Sequence, residues 1–253
     1  MMLNDKVAVI TGAGSGMGLA TAKRFAAEGA SLVVGEWVAE RLDALIADIK
    51  GSGGSIVGAQ GNIADKATAE ALIDVAVSTY GRIDVLVNNA GVMDSFQGVA
   101  ELSDDVWRRV FGINVEGPLF TMRRAIPTMI EQGRGAIVNI ASLGGLRGGW
   151  AGAAYTASKH ALIGLTKNTA WMYGPRGVRT NAIAPGGTRT NIMDEAAMAR
   201  IDPLGAERIL GSMLNLPVLQ PEDIAAVALF LASDEARFIN GAIITADAGA
   251  MAK

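Results

Sequence analysis

A tyrosine and a lysine four positions apart, Tyr155 and Lys159, are the residues of this sequence best suited to proton transfer. On a helix, residues at this spacing share one face, so the two side chains would lie side by side. A free phenol has a pKa of about 10, and a useful base near neutral pH needs roughly 4 kcal/mol of extra stabilisation of its ionised form. A neighbouring ammonium supplies about that much at an effective dielectric of about 20. The pair therefore predicts a phenol whose pKa Lys159 lowers, able to exchange a proton with a hydroxyl or a developing alkoxide.

A hydroxyl group stands nearby in the chain. Ser142 follows a short apolar segment, residues 136–140, that reads as a strand. Its hydroxyl could hydrogen-bond the oxygen of a substrate, or it could merely cap the strand end, and Lys159 could be a solvated helix charge. His160 points about 100° round the helix from Lys159, so we assign it to packing or to the surface.

A glycine-rich segment supplies the second chemical signal. The run Thr11-Gly12-Ala13-Gly14-Ser15-Gly16-Met17-Gly18 stands between a first strand and a first helix. Glycines let backbone N–H groups approach an anion, and a helix N-terminus adds partial positive charge. The segment is neither a P-loop nor G-x-G-x-x-G, and it fits T-G-x-x-x-G-x-G. We interpret it as a phosphate cradle, the alternative being an ordinary turn.

An acidic residue ends the second predicted strand. Glu36 stands 18 residues after Gly18, where a doubly wound dinucleotide fold holds ribose hydroxyls. Its carboxylate would repel a 2′-phosphate, and the neighbouring Trp37 and Ser15 are uncharged, which leaves Arg41 as the one basic residue close by. These residues favour NAD over NADP. The alternative is a solvated glutamate at a strand end.

The elements that must position these residues follow an alternating pattern. Short β-branched segments read as buried strands, and stretches with helical spacing separate them. The predicted strands are 6–11, 31–35, 55–60, 83–87, 136–140, 178–184 and 242–245, and the clearest helical stretches are 17–28, 38–50 and 66–80. Continuous apolar strands between helices indicate a parallel sheet covered on both faces. We predict one doubly wound α/β domain over residues 1–253.

One long insertion interrupts the alternation. Residues 188–217 contain no strand pattern and carry many Ile, Leu and Met side chains, among them Met193. Because this segment leaves from the carboxyl edge of a strand, we interpret it as a lid over the site. The alternative is an extra helical pair packed on the core.

The composition excludes several mechanisms. The chain of 253 residues has no cysteine and one histidine, which removes disulfides, thiolates and multi-histidine metal sites. The net charge of −3 shows no basic stripe for nucleic acid, and no apolar run is long enough for a membrane span. We therefore expect a cytoplasmic protein without a catalytic metal, acting on a small molecule.

Several motifs occur in a fixed order, and together they carry a resemblance. They are Thr11-Gly12…Gly16-Met17-Gly18, Asn88-Asn89-Ala90-Gly91, Asn114 in a helix, Ser142, Tyr155…Lys159 and Pro185-Gly186. Over essentially its whole length the sequence resembles the short-chain dehydrogenase/reductase family. The resemblance implies a Rossmann-type domain with a seven-stranded, mostly parallel sheet and helices on both faces.

The resemblance also implies roles for individual residues. Asn114 would hold a water that links Lys159 to solvent, the alternative being a bond to a neighbouring loop, and Lys159 would bind the nicotinamide ribose. The remaining implied cofactor contacts are Asn62 and Ile63 at the adenine, Asn89, Ala90 and Gly91 at the riboses, and Pro185, Gly186, Thr188 and Thr190 around the carboxamide. The family commonly assembles through the tyrosine helix and the 106–132 region, so a homotetramer is expected.

The leading hypothesis is an NAD-dependent oxidoreductase that interconverts a secondary alcohol and a ketone. The catalytic residues would be Asn114, Ser142, Tyr155 and Lys159, and the oxidised nicotinamide would add a second positive charge near the phenol. Leu143, Leu146 and Trp150, with Met193 of the lid, would line a partly apolar substrate pocket beside Ser142 and Tyr155. One alternative is a 3-oxoacyl-carrier-protein reductase using NADPH. Another is a non-catalytic dinucleotide sensor or scaffold.

Overall fold

The computed structural model describes residues 1–192, 200–213 and 217–252, with the backbone alone for 210, 212 and 213. It contains a seven-stranded sheet in the order β3-β2-β1-β4-β5-β6-β7, and all six neighbouring pairs are parallel. The strands are β1 Val7–Thr11, β2 Ser31–Glu36, β3 Ile56–Gln60, β4 Val85–Asn88, β5 Gly135–Ile140, β6 Val178–Pro185 and β7 Ile243–Ala246. The predicted Rossmann-type fold class is confirmed, with strand ends within two residues of those predicted.

Helices connect the strands. They are α1 Gly16–Ala27, α2 Ala39–Gly51, α3 Lys66–Tyr80, α4 Asp104–Phe111, α5 Gly117–Glu131, α6 Ala153–Tyr173, α7 Pro203–Met213 and α8 Pro221–Ala232. A π-helical segment, Gly112–Glu116, joins α4 to α5. Short 3-10 turns, Leu143–Gly145 and Gly148–Trp150, stand between β5 and α6.

Two apolar layers cover the sheet. Ile10 on one face of β1 packs in a cluster with Phe25 of α1 and Leu229 of α8. Val9, on the opposite face, packs in a second cluster that includes Leu72 of α3 and Met129 of α5. Because β1 is buried on both faces, its sequence is continuously apolar rather than alternating.

The 188–217 insertion is described in part. Its helix α7 packs on the Gly148–Trp150 turn, and the amide of Asp202 donates a 2.9 Å hydrogen bond to the carbonyl of Ser95. Met193 lies outside the described residues. The insertion's role as a lid stays a prediction. Within the described residues, no helix is both long enough and apolar enough to cross a bilayer.

Candidate active site

The carboxyl ends of the central strands bring the predicted site residues to one edge of the sheet. Thr11 ends β1, Asn88 ends β4, and Ser142 lies two residues beyond β5. Tyr155 and Lys159 lie in the first two turns of α6, which packs against β6 and against the turn that follows Ser142. This edge is where open α/β sheets bind ligands.

The glycine-rich segment is held tightly against the end of β4. The side-chain amide of Asn89 donates to the carbonyls of Thr11 and Gly12, at 3.0 and 2.9 Å. A side chain on Gly18 would collide with the carbonyl of Gly12 and lie 2.5 Å from the Asn89 amide nitrogen. Gly12 has φ +63°, a conformation that other residues rarely adopt. Position 18 therefore requires glycine because a side chain there would collide with the Gly12 carbonyl. Position 12 requires glycine because its φ is positive.

The N-terminus of α1 has the properties of an anion site. Ser15 is its N-cap, and within the described chain the Ser15 side chain makes no capping hydrogen bond. The first N–H groups of a helix have no partner inside the helix, and they carry the positive end of its dipole. Thr190, after β6, reaches the same loop, because a side chain on Gly16 would lie 3.1 Å from its methyl group.

Glu36 is a buried carboxylate that lies against the glycine loop. It is 8% exposed, and Oε2 accepts a 2.8 Å hydrogen bond from the Gly14 amide while Oε1 accepts one of 3.1 Å from Val38. The alternative of a solvated glutamate is wrong. Each oxygen of a carboxylate has a second lone pair, so Glu36 can still accept ribose hydroxyls. Arg41 also lies here, since a side chain on Gly14 would meet its Cβ at 2.7 Å.

Lys159 is buried beside Tyr155. Its Nζ lies 5.5 Å from the centre of the Tyr155 ring and donates a 2.8 Å hydrogen bond to the carbonyl of Ile140, the last residue of β5. With 3% exposure, it is not a solvated helix charge. Burial lowers its pKa to about 8, because the ammonium loses hydration. A side chain on Gly91 would lie 3.5 Å from Nζ, so the Ala90-Gly91 turn borders the same space.

The phenol of Tyr155 is held in its protonated form by the protein's own groups. Burial raises its pKa to about 12, a hydrogen bond with Ser142 lowers it, and the charge of Asp94 raises it. This corrects the prediction that Lys159 brings the pKa of the phenol toward neutrality. The cost of removing a phenolate from water outweighs the attraction between the two charges.

Ser142 caps the chain after β5, and its role toward a substrate stays a prediction. The amide of Gly144 donates a 3.1 Å hydrogen bond to Ser142 Oγ, which caps the 3-10 turn after β5. Because Oγ is the acceptor in that bond, the hydroxyl hydrogen stays available for the Tyr155 phenol or a substrate oxygen.

Asn114 lies in the π-helical segment, and its side chain makes three hydrogen bonds. Its Oδ1 accepts from the Val92 amide at 2.9 Å, and its Nδ2 donates to the Val92 carbonyl and to Ser158 Oγ, at 3.0 and 3.1 Å. These bonds match the predicted alternative, in which Asn114 binds a neighbouring loop. Both Nδ2 hydrogens are used, so a water held by this residue would have to donate to the remaining lone pair of Oδ1 or to the main-chain carbonyl.

The other implied cofactor contacts border the same edge. Asn62 Oδ1 accepts a 3.0 Å hydrogen bond from the Ala64 amide and keeps a second lone pair. Thr188 Oγ1 donates to the carbonyl of Gly186 at 3.0 Å, which folds the chain sharply after Pro185. Met17 and Ile63 are partly buried and pack on the two core clusters. Their contacts with a cofactor stay predictions.

Apolar side chains gather beside Tyr155. Leu143 is buried, and the partly buried Leu146 and Trp150 pack in the same cluster as Ala250 near the C-terminus. The predicted pocket residue Met193 is outside the described residues. His160 is exposed, and its Nδ1 lies 2.9 Å from the carbonyl of Thr156, as expected for a surface residue.

Two buried residues of the site were missed by the sequence analysis. Ser158 donates to the carbonyl of Tyr155 at 2.8 Å and joins α6 to Asn114. Asp94, 4% exposed, accepts hydrogen bonds from the amides of Phe96, Gly152 and Tyr155. The signal for Ser158 was its place beside Lys159, whereas the partners of Asp94 are up to 61 residues away and give no local pattern.

These residues fit a nicotinamide dinucleotide. The uncapped N-terminus of α1 suits its pyrophosphate, the buried carboxylate of Glu36 suits a ribose, and the Lys159 ammonium lies beside the Ala90-Gly91 turn. Among the described residues, no group of three or more His, Cys, Asp or Glu side chains is placed to hold a metal ion.

Comparison with known proteins identifies the family to which this chain belongs. A family model described as Enoyl-(Acyl carrier protein) reductase matches residues 12–251. A 3beta-hydroxysteroid dehydrogenase 2 of Eggerthella lenta is 41% identical over 250 residues, covering 98% of this chain and 95% of that protein. The meso-2,3-butanediol dehydrogenase of Serratia marcescens is 40% identical, covering 100% and 97%. The chain belongs to the short-chain dehydrogenase/reductase family.

Solved structures agree with this assignment. A short chain dehydrogenase from Mycobacterium paratuberculosis bound to NAD superposes with a TM-score of 0.92 at 31% identity, over the full length of both chains. A structure from Beutenbergia cavernae with bound NADP at low occupancy has a TM-score of 0.87 at 35% identity, covering 99% and 98%. The two relatives hold different dinucleotides, so the choice of cofactor must be argued from this chain's own residues.

Proposed function

We propose that this protein is an NAD-dependent oxidoreductase that interconverts a secondary alcohol and a ketone. The observation that carries the proposal is the burial of Lys159 against the Tyr155 ring, at the sheet edge that also bears the glycine loop. A buried ammonium beside a buried phenol is costly, and perturbed groups of this kind cluster at functional sites. The relatives named as hydroxysteroid and butanediol dehydrogenases support the substrate class.

Each residue of the site has its own role in cofactor binding or proton transfer. Glu36 and the α1 N-terminus would hold the adenosine half and the pyrophosphate of the dinucleotide, and Lys159 would hold the nicotinamide ribose. When bound, the dinucleotide supplies or accepts the hydride. In reduction, Ser142 donates a hydrogen bond to the carbonyl oxygen, and Tyr155 Oη–H transfers its proton to the oxygen as negative charge develops there.

Oxidation runs the same proton transfer backwards. The phenol must then lose its proton, so its pKa has to fall from the value that burial imposes. The Lys159 ammonium and the positive charge of an oxidised nicotinamide both favour the phenolate. We place the proton relay to solvent at a water that donates to an oxygen of Asn114, because both hydrogens of its side-chain amide are already donated to Val92 and Ser158.

We propose NAD as the preferred cofactor. A 2′-phosphate would meet the negative charge of Glu36, which two backbone hydrogen bonds hold in place. Trp37 next to it is 65% exposed and offers no positive charge. Arg41 lies against the same glycine loop, and its positive charge is the one that would weaken the preference for NAD over NADP.

One alternative has an observation in its favour. A relative named 3-oxoacyl-[acyl-carrier-protein] reductase, from Thermotoga maritima, is 37% identical to this chain, which supports a 3-oxoacyl-carrier-protein reductase as the alternative function. Glu36 argues against it through its charge. A non-catalytic dinucleotide sensor would have no use for the buried Tyr155–Lys159 pair.

We further propose a homotetramer in the cytoplasm. The small residues Ala153, Ala157, Ala161 and Gly164 lie along one face of α6, and Gly164 is exposed with open space beside it. This outward face leaves room for a second subunit. The absence of cysteine fits a cytoplasmic location. Light scattering coupled to size exclusion measures the assembly.

A substrate panel tests the function. Purified protein is assayed with ketones, secondary alcohols and a 3-oxoacyl thioester, each with both nicotinamide cofactors, by nicotinamide absorbance. We expect turnover of apolar ketones and alcohols with the NAD pair. Turnover confined to the 3-oxoacyl thioester with NADPH would replace this proposal with the alternative, and absence of any turnover would favour the sensor.

A further inference from the structure

We infer that Asp94 is a positioning residue for Tyr155, which fixes the start of α6 and adds to the preference of the phenol for its proton-donating form. The inference deepens the proposed function, since it gives Tyr155 a bias toward carbonyl reduction.

Hydrogen bonds join Asp94 to the start of α6. Asp94 lies in the segment after β4, and Oδ2 accepts a 2.8 Å hydrogen bond from the backbone amide of Tyr155 itself. Its Oδ1 accepts from Gly152, the N-cap of α6, at 3.2 Å and from Phe96 at 3.1 Å. One carboxylate therefore ties the first turn of the catalytic helix to the neighbouring loop.

The Asp94 carboxylate packs closely against Gly152 at the start of α6. A side chain on Gly152 would lie 2.6 Å from both Asp94 oxygens, so the helix begins with glycine where the carboxylate comes closest. Phe96, two residues after Asp94, has φ +57° and is 3% exposed. A non-glycine residue in this conformation costs energy, and the surrounding contacts must hold it.

The negative charge of Asp94 acts on the phenol of Tyr155. The N-terminus of a helix carries partial positive charge, which would favour a phenolate on its first turn. A buried carboxylate at the same place opposes that effect, and repulsion of like charge favours the neutral phenol. The negative charge of Asp94 accordingly raises the pKa of Tyr155.

Other charges around the phenol leave this role to Asp94. Lys159, on the same helix, lies 5.5 Å from the ring and has the opposite effect. Three charged side chains of the other elements near the start of α6 are exposed: Arg109 of α4, Glu116 of the π segment, and Arg147 before the second 3-10 turn. Asp202, before α7, is half-buried, and its Oδ1 accepts a 2.8 Å hydrogen bond from the Gly205 amide. Arg109 donates to the carbonyl of Met93.

Burial alone keeps the phenol protonated through the neutral range, and the charge of Asp94 extends that range to higher pH. Such a group is ready to donate a proton in reduction, whereas oxidation of an alcohol requires it to ionise first. Asp94 therefore moves the rising limb of alcohol oxidation to higher pH.

A titration that needs no turnover tests this inference. The sequence has three tyrosines, so the double variant Tyr80→Phe, Tyr173→Phe leaves Tyr155 as the one phenol. In that background, Asp94→Asn removes the charge and keeps one acceptor oxygen. We expect the pKa of Tyr155, read from tyrosinate absorbance, to fall by about one unit. In the enzyme with all its tyrosines, the rising limb of kcat/KM for alcohol oxidation should move down by a similar amount.

Matched variants separate charge from structure. Asp84 is another buried carboxylate, 5% exposed, which accepts the Val7 amide at 3.0 Å at the opposite edge of the sheet. Asp84→Asn should leave the pKa of Tyr155 unchanged. Asp94→Ser, whose side chain keeps a hydroxyl oxygen as an acceptor but carries no charge, should lower it as Asp94→Asn does.

The contradicting result is equally specific. An unchanged pKa of Tyr155 in folded Asp94→Asn or Asp94→Ser protein, or an equal fall in Asp84→Asn, would overturn the inference. Because the titration does not depend on catalysis, a fall in the pKa of Tyr155 supports the role of Asp94 even if the substrate panel finds no turnover.

Discussion

The ammonium of Lys159 lies 5.5 Å from the centre of the Tyr155 ring and donates a 2.8 Å hydrogen bond to the carbonyl of Ile140. The charge is thus fixed between the catalytic helix and the end of β5, in a buried place where it is costly to keep. Removal of this charge should have opposite effects on stability and on activity.

Lys159→Met should unfold less readily than the wild type at pH 7 while losing activity. Burial lowers the pKa of Lys159 from 10.5 to about 8, so the folded protein holds this proton less firmly than the unfolded chain. The folded state is therefore favoured above pH 10.5, and that advantage is lost as the pH falls through 8. At pH 7 the buried charge costs up to about 3 kcal/mol.

Urea unfolding at pH 7 and near pH 10.5 measures this effect. We expect the stability of Lys159→Met relative to the wild type to be greater at pH 7 than at pH 10.5. Lys159 donates to the Ile140 carbonyl as an ammonium at pH 7 and as a neutral amine near pH 10.5, so the change with pH measures the net cost of the charge, including its stronger hydrogen bond. A stability difference that does not vary with pH would contradict the cost assigned to Lys159.

Gly18→Ala should weaken dinucleotide binding. A methyl group at this position collides with the Gly12 carbonyl and with the Asn89 amide, so the loop must shift. Misplacement of a binding loop by about 1 Å costs on the order of 100-fold, and we expect the Kd for NADH to rise by about 10- to 100-fold. Fluorescence titration with NADH measures it.

Gly51→Ala is the control for this variant. Gly51 ends α2, and no atom lies within 4 Å of the place its side chain would take. Equal NADH affinities in the two variants would mean that the loop does not hold the pyrophosphate.

Glu36→Ala combined with Trp37→Arg should move the cofactor preference toward NADPH. The first change removes the charge that repels a 2′-phosphate, and the second adds an exposed guanidinium beside it. A charge-assisted hydrogen bond contributes about 1.5–3 kcal/mol, so the ratio of kcat/KM for NADPH and NADH should rise by at least about tenfold.

Arg41→Ala in the wild-type background completes the comparison. If Arg41 supports residual use of NADPH, its removal lowers kcat/KM for NADPH and leaves the value for NADH nearly unchanged. A cofactor ratio that does not respond to the Glu36 and Trp37 changes would refute the role given to Glu36.

Local patterns in the sequence account for much of this architecture. The apolar runs of β1 and β4 predicted a parallel sheet because both faces of it are covered, and the i, i+4 spacing placed Lys159 beside Tyr155. The glycine at position 18 marked a close approach, and the backbone of Gly12 is what it approaches. In each case the signal itself lies in a short stretch of the sequence.

The other features of the site depend on contacts between residues that are far apart in the sequence. The hydrogen bond from the Tyr155 amide to Asp94 spans 61 residues, and the amide of Asn114 is engaged by Val92, 22 residues away. The pKa of Tyr155 depends on burial, which spacing on one helix does not measure. For this reason the sequence analysis found the chemical groups of the site and misjudged the protonation that the protein alone imposes.

The central claim is that Tyr155 transfers the proton that accompanies hydride transfer. The most direct measurement is the single-turnover rate of Tyr155→Phe with a ketone identified by the substrate panel, alongside NADH affinity and urea unfolding of the same variant. Loss of general-acid catalysis costs about 10²- to 10⁴-fold, so we expect a fall of at least that size with NADH binding and folding retained. A rate within a few-fold of the wild type would contradict the account.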